Sequence, residues 1–196
     1  MADSVAPDEV LPLLRGGFGR TYRYAELCPS TQRLFSEDDA EGTVAVAEEQ
    51  SEGRGRLGRS WYAPARTSIH VSILLRPDVE PARLPELSLV AGGAVAEAIA
   101  EVASVEPVIK FPNDVLIGGK KVAGILAESS EGRVVLGIGV NVNQTQEQLP
   151  ADARTDPTSL RLETGSDVDR ARLLAVILIR LEEAYGRWLM GSAGSG

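Results

Sequence analysis

The sequence predicts an α+β domain: a mixed β-sheet with helices mainly on one face. Three observations predict it. Short apolar or alternating runs follow one another in hairpin arrangement between residues 108 and 142. Two long segments carry apolar residues at helical spacing. Finally, 43% of the 196 residues are hydrophobic, enough to bury one ordinary core.

Taken in order, residues 1–20 mix Pro7, Pro12, Gly16, Gly17 and acidic side chains without a sustained period, which reads as a mobile or short helical lead-in. Residues 22–27 read as a strand. Ser30-Thr31 then stands where an N-cap opens a helix through Gln32, Leu34 and Phe35. Residues 43–47 form a buried strand. Residues 68–75 alternate, with Ile69, Val71 and Ile73 on one face and Ser68, His70 and Ser72 on the other, predicting a strand with one apolar face. Residues 84–102 repeat Leu87, Val90, Ala91, Ala94, Val95, Ala98, Ile99 and Val102 as an amphipathic helix. Strands follow at 108–111, 115–117 and 120–128, the last two joined by a turn at Gly118-Gly119, and another at 133–142. Residues 144–167, polar and broken by Pro150, Pro157 and Gly165, read as a long surface connection. The helix over 168–189 repeats Leu173, Leu174, Ile177, Leu178, Leu181, Tyr185 and Trp188. The chain thus divides into a lead-in (1–20), one main domain (21–190) and a Gly/Ser tail (191–196) of flexible-linker composition.

Composition excludes several functions. A net charge of −8 and an isoelectric point near 4.8 argue against a general binder of nucleic acid or anionic membrane, which draws its affinity from excess Lys and Arg, so neither DNA nor membrane is expected as a partner. The apolar stretch around residues 89–100 is interrupted by Gly92, Gly93 and Glu97, short of a membrane span. Cys28 is the single cysteine and cannot form an internal disulfide; with no basic-then-apolar leader at the start, the expected compartment is the cytoplasm.

The segment Gly53-Arg54-Gly55-Arg56-Leu57-Gly58-Arg59-Ser60-Trp61 points to chemistry. Glycine lets a backbone approach a ligand, arginine offers a planar fork matched to carboxylate and phosphate oxygens, and an indole supplies a stacking face. This is a local positive island in an acidic chain, suited to a phosphate-bearing ligand. Trp61 reads either as that stacking face or as simple core. His70, a lone histidine on a strand face, reads as packed or hydrogen-bonded rather than catalytic, and Cys28 as buried. The carboxylates are scattered without metal-ligand spacing, so no resident metal is expected. Asp114, after Asn113 in a turn, fits two roles equally, placing Mg²⁺ or capping the backbone.

Together with Lys110-Phe-Pro-Asn-Asp114, Lys120-Lys-Val-Ala-Gly-Ile-Leu126 and Gly137-Ile-Gly-Val-Asn141, this segment resembles the biotin protein ligase family in motif, order and spacing, from about Tyr22 to Trp188. The resemblance implies the catalytic-domain fold shared with class II aminoacyl-tRNA synthetases. It implies a monofunctional, ATP-dependent biotin–protein ligase: biotin and Mg-ATP form biotinyl-5′-AMP, and a lysine of a biotin carboxyl carrier protein then attacks the mixed anhydride. By resemblance, Ser30, Thr31, Gln32, Gln50, Gly53, Arg54, Gly55, Arg56, Lys121 and Gly124 form the biotin site. Arg56, Arg59, Trp61, Asn113 and Asn141 serve ATP, and Arg56 and Lys121 carry the chemistry. Biotin, ATP and Mg²⁺ are the implied substrates, and a weak homodimer is compatible with the family. Phe111 stands where the family usually has Trp, Gln32 where Asn is common, and Arg66 near a usual Gly. The small β-barrel that many members add after the catalytic domain is missing from the sequence in hand. The competing readings are a lipoate or octanoate ligase or transferase of the same superfamily and a non-catalytic nucleotide- or biotin-binding module.

Overall fold

The computed structural model describes residues 3–151 and 153–193. Among them lie seven strands in one sheet: β1 (Tyr22–Cys28), β2 (Val44–Gln50), β3 (Ser68–Leu75), β4 (Val108–Lys110), β5 (Asp114–Ile117), β6 (Lys120–Ser130) and β7 (Arg133–Asn141). The helices are α1 (Pro7–Val10), α2 (Leu87–Ala103), α3 (Leu160–Thr164) and α4 (Arg170–Ala193). The sheet runs β1-β2-β3-β7-β6-β5-β4. β1 lies parallel to β2, and every other pair is antiparallel, which makes the sheet mixed as the sequence predicts.

The two faces of the sheet differ in kind. One presents Val44 and Val46 of β2, Ile69, Val71, Ile73 and Leu75 of β3, Ile125 of β6 and Leu136, Ile138 and Val140 of β7. Against it pack Leu87, Val95 and Ile99 of α2 and Leu173, Leu174, Ile177 and Leu181 of α4. Each such side chain contributes roughly 1.5–3 kcal/mol by leaving water, so this layer holds the domain together. Strand alternation sends the intervening residues to the opposite face: Ala45, Ala47, Ser68, His70, Ser72, Gly124, Gly137, Gly139 and Asn141. They are small or polar, which leaves room above the sheet.

β3 has the one apolar face expected of it, and its polar face is buried as well, because Thr31 bonds Ser72 and Gln144 bonds Ser68 from above. Three expectations need correction. The helix expected after Ser30 is a single 3₁₀ turn, Thr31–Arg33, and Ser30 provides no side-chain cap. Thr31 instead spends its N–H and hydroxyl on Gln50 and Ser72, pinning the chain to the sheet. The segment 144–167 is not merely surface: Gln144, Thr158, Ser159 and Leu160 are buried, α3 forms within it, and Pro157 bridges to Lys121. The tail expected from Gly191 begins inside α4, which runs on to Ala193; residues 194–196 lie outside the described residues.

The lead-in contains the short helix α1 and is packed, with Val5 and Val10 fully buried. Its anchor is a polar network around Arg170, a guanidinium with no solvent exposure. Arg170 donates to Glu48 at 2.7 Å, to the Ser68 carbonyl at 3.0 Å, to the Asp3 carboxylate at 2.8 Å and to the Asp3 carbonyl at 2.6 Å. Ser4 Oγ and the Val5 N–H also donate to Glu48. Burial pushes the Glu48 carboxyl upward, but the hydrogen bond and charge of Arg170 outweigh it and hold the group below the usual glutamate value. No helix of the described residues is long and apolar enough to cross a membrane.

Candidate active site

The space above the sheet is a cavity of about 400 Å³. Its floor is glycine by necessity. A Cβ on Gly139 would lie 2.5 Å from Trp61 Cε2, one on Gly137 would lie 2.9 Å from Gln32 Nε2, and one on Gly124 would crowd both Trp61 and Lys121. Part of the lining is polar and uncharged. The Thr31 N–H donates to Gln50 Oε1 at 2.8 Å, Thr31 Oγ1 lies 2.8 Å from Ser72 Oγ, and Gln32 Nε2 donates to the Leu126 carbonyl while its buried Oε1 has no protein partner.

The rest is cationic. Arg54, Arg56, Arg59, Lys110, Lys121 and Arg154 line the cavity against one carboxylate, Asp114. In a chain of net charge −8 this local excess selects an anionic ligand. Lys121 reaches the cavity because of a β-bulge. Asp114 pairs with Gly124 and Val115 with Ala123, but Leu116 pairs with Lys121, so Val122 is the additional residue. Simple alternation would turn Lys121 toward the helices; the bulge returns it to the face of Gly124. There its Nζ lies 2.7 Å from Asp114 Oδ1 and 5.5 Å from the centre of the Trp61 ring. Lys121 is also held from the far side, its N–H donating to the Asp156 carbonyl and its carbonyl accepting from the Thr158 N–H.

The Arg/Gly segment folds into a tight loop at the cavity mouth. Arg54 bridges Ser60, the Gly55 N–H donates to the Arg59 carbonyl, and the Trp61 N–H donates to the Gly53 carbonyl. Two side chains tie it down: Arg54 forks onto both oxygens of Glu128 at 2.9 Å, and Arg56 donates to Asn113 Oδ1 at 3.2 Å. Asn113 in turn donates to the Ile125 carbonyl, which fixes its acceptor toward the loop. Arg66 adopts φ = 61°, the left-handed conformation that glycine favours.

Of the residues expected in the site, Ser30, Thr31, Gln32, Gln50, Arg54, Gly55, Arg56, Arg59, Trp61, Asn113, Asp114, Lys121 and Gly124 all line the cavity. Two do not. Gly53 is buried beside the cavity rather than on its wall, and is glycine because a Cβ would collide with the Trp61 carbonyl. Asn141 is buried, its amide donating to the Thr158 carbonyl and accepting from Gln144, so it braces the 144–159 segment instead of opening onto the cavity. Trp61 is half-buried on Gly139 and forms a wall of the cavity. Of the two roles open to Asp114, capping the backbone is not the one seen among the described residues: its carboxylate is paired with Lys121. Sequence reading missed Ser72, Lys110, Gly137, Gly139 and Arg154 as lining residues. The alternation of residues 68–75 already placed Ser72 off the apolar face; Arg154 carried no local signal. Among the described residues no cluster of His, Cys, Asp or Glu is arranged to hold a metal. Asp114 is the one carboxylate among the described residues that line the cavity, and it is paired with Lys121.

The sequence profile described as the biotin/lipoate A/B protein ligase family matches residues 24–144. The chain belongs to this family. Among relatives, it is 44% identical over 161 residues to the biotin–[acetyl-CoA-carboxylase] ligase of Mycobacterium tuberculosis, covering 80% of this chain and 59% of that one. It is 39% identical over 176 residues to the bifunctional ligase/repressor BirA of Bacillus subtilis, covering 85% and 54%. The chain thus spans a little over half the length of these curated relatives. The biotin protein ligase of Aquifex aeolicus in complex with biotin and ATP superposes with a TM-score of 0.80 at 36% identity, over 88% of this chain and 73% of that one. The α+β architecture read from the sequence is the architecture of these family members.

Proposed function

We propose that this domain is an ATP-dependent biotin–protein ligase that forms biotinyl-5′-AMP and passes biotin to a lysine of a biotin carboxyl carrier protein. The observation that carries the proposal is the division of one cavity into an uncharged hydrogen-bonding part and a cationic part, with Lys121 beside both. The polar part suits a ureido ring, whose N–H groups find acceptors in Gln32 Oε1 and the hydroxyls of Thr31 and Ser72. A long apolar acyl chain, as in lipoate or octanoate, gains nothing from those groups and would strand them.

In the first step a carboxylate oxygen attacks the α-phosphorus and pyrophosphate leaves. Two anions must approach, so the site has to supply positive charge where it builds. Lys121 releases Asp114 for the incoming carboxylate and then follows the charge to the phosphoryl oxygen. Arg56 and Arg59 face the phosphates, with Trp61 and Asn113 at the nucleotide. In the second step the acceptor lysine attacks the carbonyl of the anhydride, an amide forms, AMP departs and the amine loses a proton. The M. tuberculosis and A. aeolicus names support biotin and ATP as the substrates. The test is exchange of labelled pyrophosphate into ATP. Exchange that requires biotin and is not supported by lipoate or octanoate is expected; exchange driven by either of those acids, or none with any acid, overturns the assignment.

A further inference from the structure

One buried cluster is left over from the chemistry just described. Both ring nitrogens of His70, the indole Nε1 of Trp61 and Oε1 of Gln144 are all buried and without a protein partner. They occupy neighbouring places on the small-residue face of the sheet. His70 is paired directly with Gly139 across β3 and β7, and the Trp61 indole rests on Gly139, its Nε1 only 2.8 Å from where a Cβ would be. Gln144 is fixed one step along, through bonds from its amide nitrogen to Ser68 and Asn141, themselves a register pair.

Polar atoms out of water are costly unless satisfied, and a buried water settles where two to four such partners converge. The set is balanced. Neutral histidine gives one donor and one acceptor, the indole gives a donor and the Gln144 carbonyl an acceptor. His70 is kept neutral by burial, helped by the nearby charge of Arg170 and opposed by Glu48, with its pKa lowered to about 4. Those two are the charged groups that bear on it.

We infer that His70 is a positioning residue for the nucleotide end of the site: through one buried water it accepts the indole N–H of Trp61 and fixes the plane of that ring over Gly139. The ring also lies beside Lys121, so its orientation sets the wall against which a nucleotide base and the Lys121 ammonium are arranged. The uncharged biotin part, built on Thr31, Gln50 and Ser72, is independent of it. This role rests on the ligase reading above.

The test combines a spectroscopic and a kinetic readout on the whole chain. In the parent protein, the ¹⁵N-labelled indole N–H of Trp61, assigned by comparison with Trp188→Phe, is expected at a hydrogen-bonded shift, protected from exchange and with cross-relaxation to water. His70→Met removes the acceptor at similar volume, and His70→Gln keeps one. The Met variant should raise the KM for ATP about 3- to 10-fold, the range of one lost hydrogen bond, with kcat and the biotin Kd within about twofold. The Gln variant should restore KM to within about twofold of the parent. A free, fast-exchanging indole N–H in the parent overturns the inference even if the Met variant does not fold. So does a Met variant whose biotin affinity falls as much as its ATP KM rises. Absence of biotin-dependent exchange in the parent overturns the ligase reading, while the indole measurement still decides the contact.

Discussion

Replacing Arg170 with methionine tests the buried network that joins the lead-in, β2 and α4. The guanidinium has no solvent exposure and makes charge-assisted bonds to Glu48, whose side chain is equally buried. Removing it leaves a carboxylate out of water with only Ser4 Oγ and the Val5 N–H as donors. Breaking one partner of a buried ion pair costs about 3–5 kcal/mol. For a chain of this size, at about 2–4 °C per kcal/mol, that is a fall in Tm of roughly 6–20 °C. Replacing both partners, Glu48→Leu with Arg170→Met, should recover most of the loss, since no charge is then stranded. The pH dependence is diagnostic. In the parent, Glu48 sits below its ordinary value, so its contribution to stability is complete above about pH 4.3 and fades as pH falls through the folded value. In Arg170→Met the dominant influence left on Glu48 is burial, which raises its pKa. The variant's deficit should therefore be largest at neutral pH and shrink as acid protonates the stranded carboxyl. Urea unfolding followed by circular dichroism at pH 7.5 and pH 5 measures both. A deficit below 1 kcal/mol, or one equal at the two pH values, would refute the reasoning.

Two further outcomes concern the reaction. Lys121→Ala should lower adenylate formation about 100- to 1000-fold, the cost of one donor to a forming oxyanion, while the circular dichroism spectrum stays that of the parent; synthesis within threefold of the parent would reduce Lys121 to the partner of Asp114. Arg56→Gly cuts the tie from the loop to Asn113 and one contact to the adenylate, so the variant should release the intermediate roughly 30- to 150-fold faster, a change equivalent to about 2–3 kcal/mol. Freed anhydride acylates nearby amines, so streptavidin blots should show more labelled albumin with the variant than with the parent; equal labelling alongside undiminished synthesis would mean the loop does not retain the intermediate.

Much of this was legible in the sequence because it was written in local patterns. Period-two and period-3.6 runs marked the strands and the two long helices, and three arginines among glycines marked the cavity mouth. What was not legible depends on contacts between distant segments. Nothing local distinguishes Val122 as a bulged residue, yet the bulge is what turns Lys121 toward Asp114. Ser30-Thr31 carried a helix-start signal that lost to tertiary contacts, as Gln50 and Ser72 bond the Thr31 N–H and hydroxyl and hold the segment against the sheet. Glu48 and Arg170 lie 122 positions apart, and no local pattern joins them. Asn141 sat inside a matched motif, but its role is set by Gln144 and Thr158, residues in a stretch that looked like plain connection.

The glycine-rich floor has a consequence for when the site comes into being. Ser72 and Gly137, neighbours across the seam of β3 and β7, are about 65 residues apart along the chain. Pairings of such long range close late, because the loop entropy must be met before the contact returns anything. During synthesis, the arginine loop and the polar pocket of Thr31 and Gln50 emerge well before the strand that completes their floor, and Lys121 is not braced until Asp156 and Thr158 arrive. Affinity for ligand is thus a property of the finished sheet, and an unfinished chain cannot withhold ligand from its completed copies.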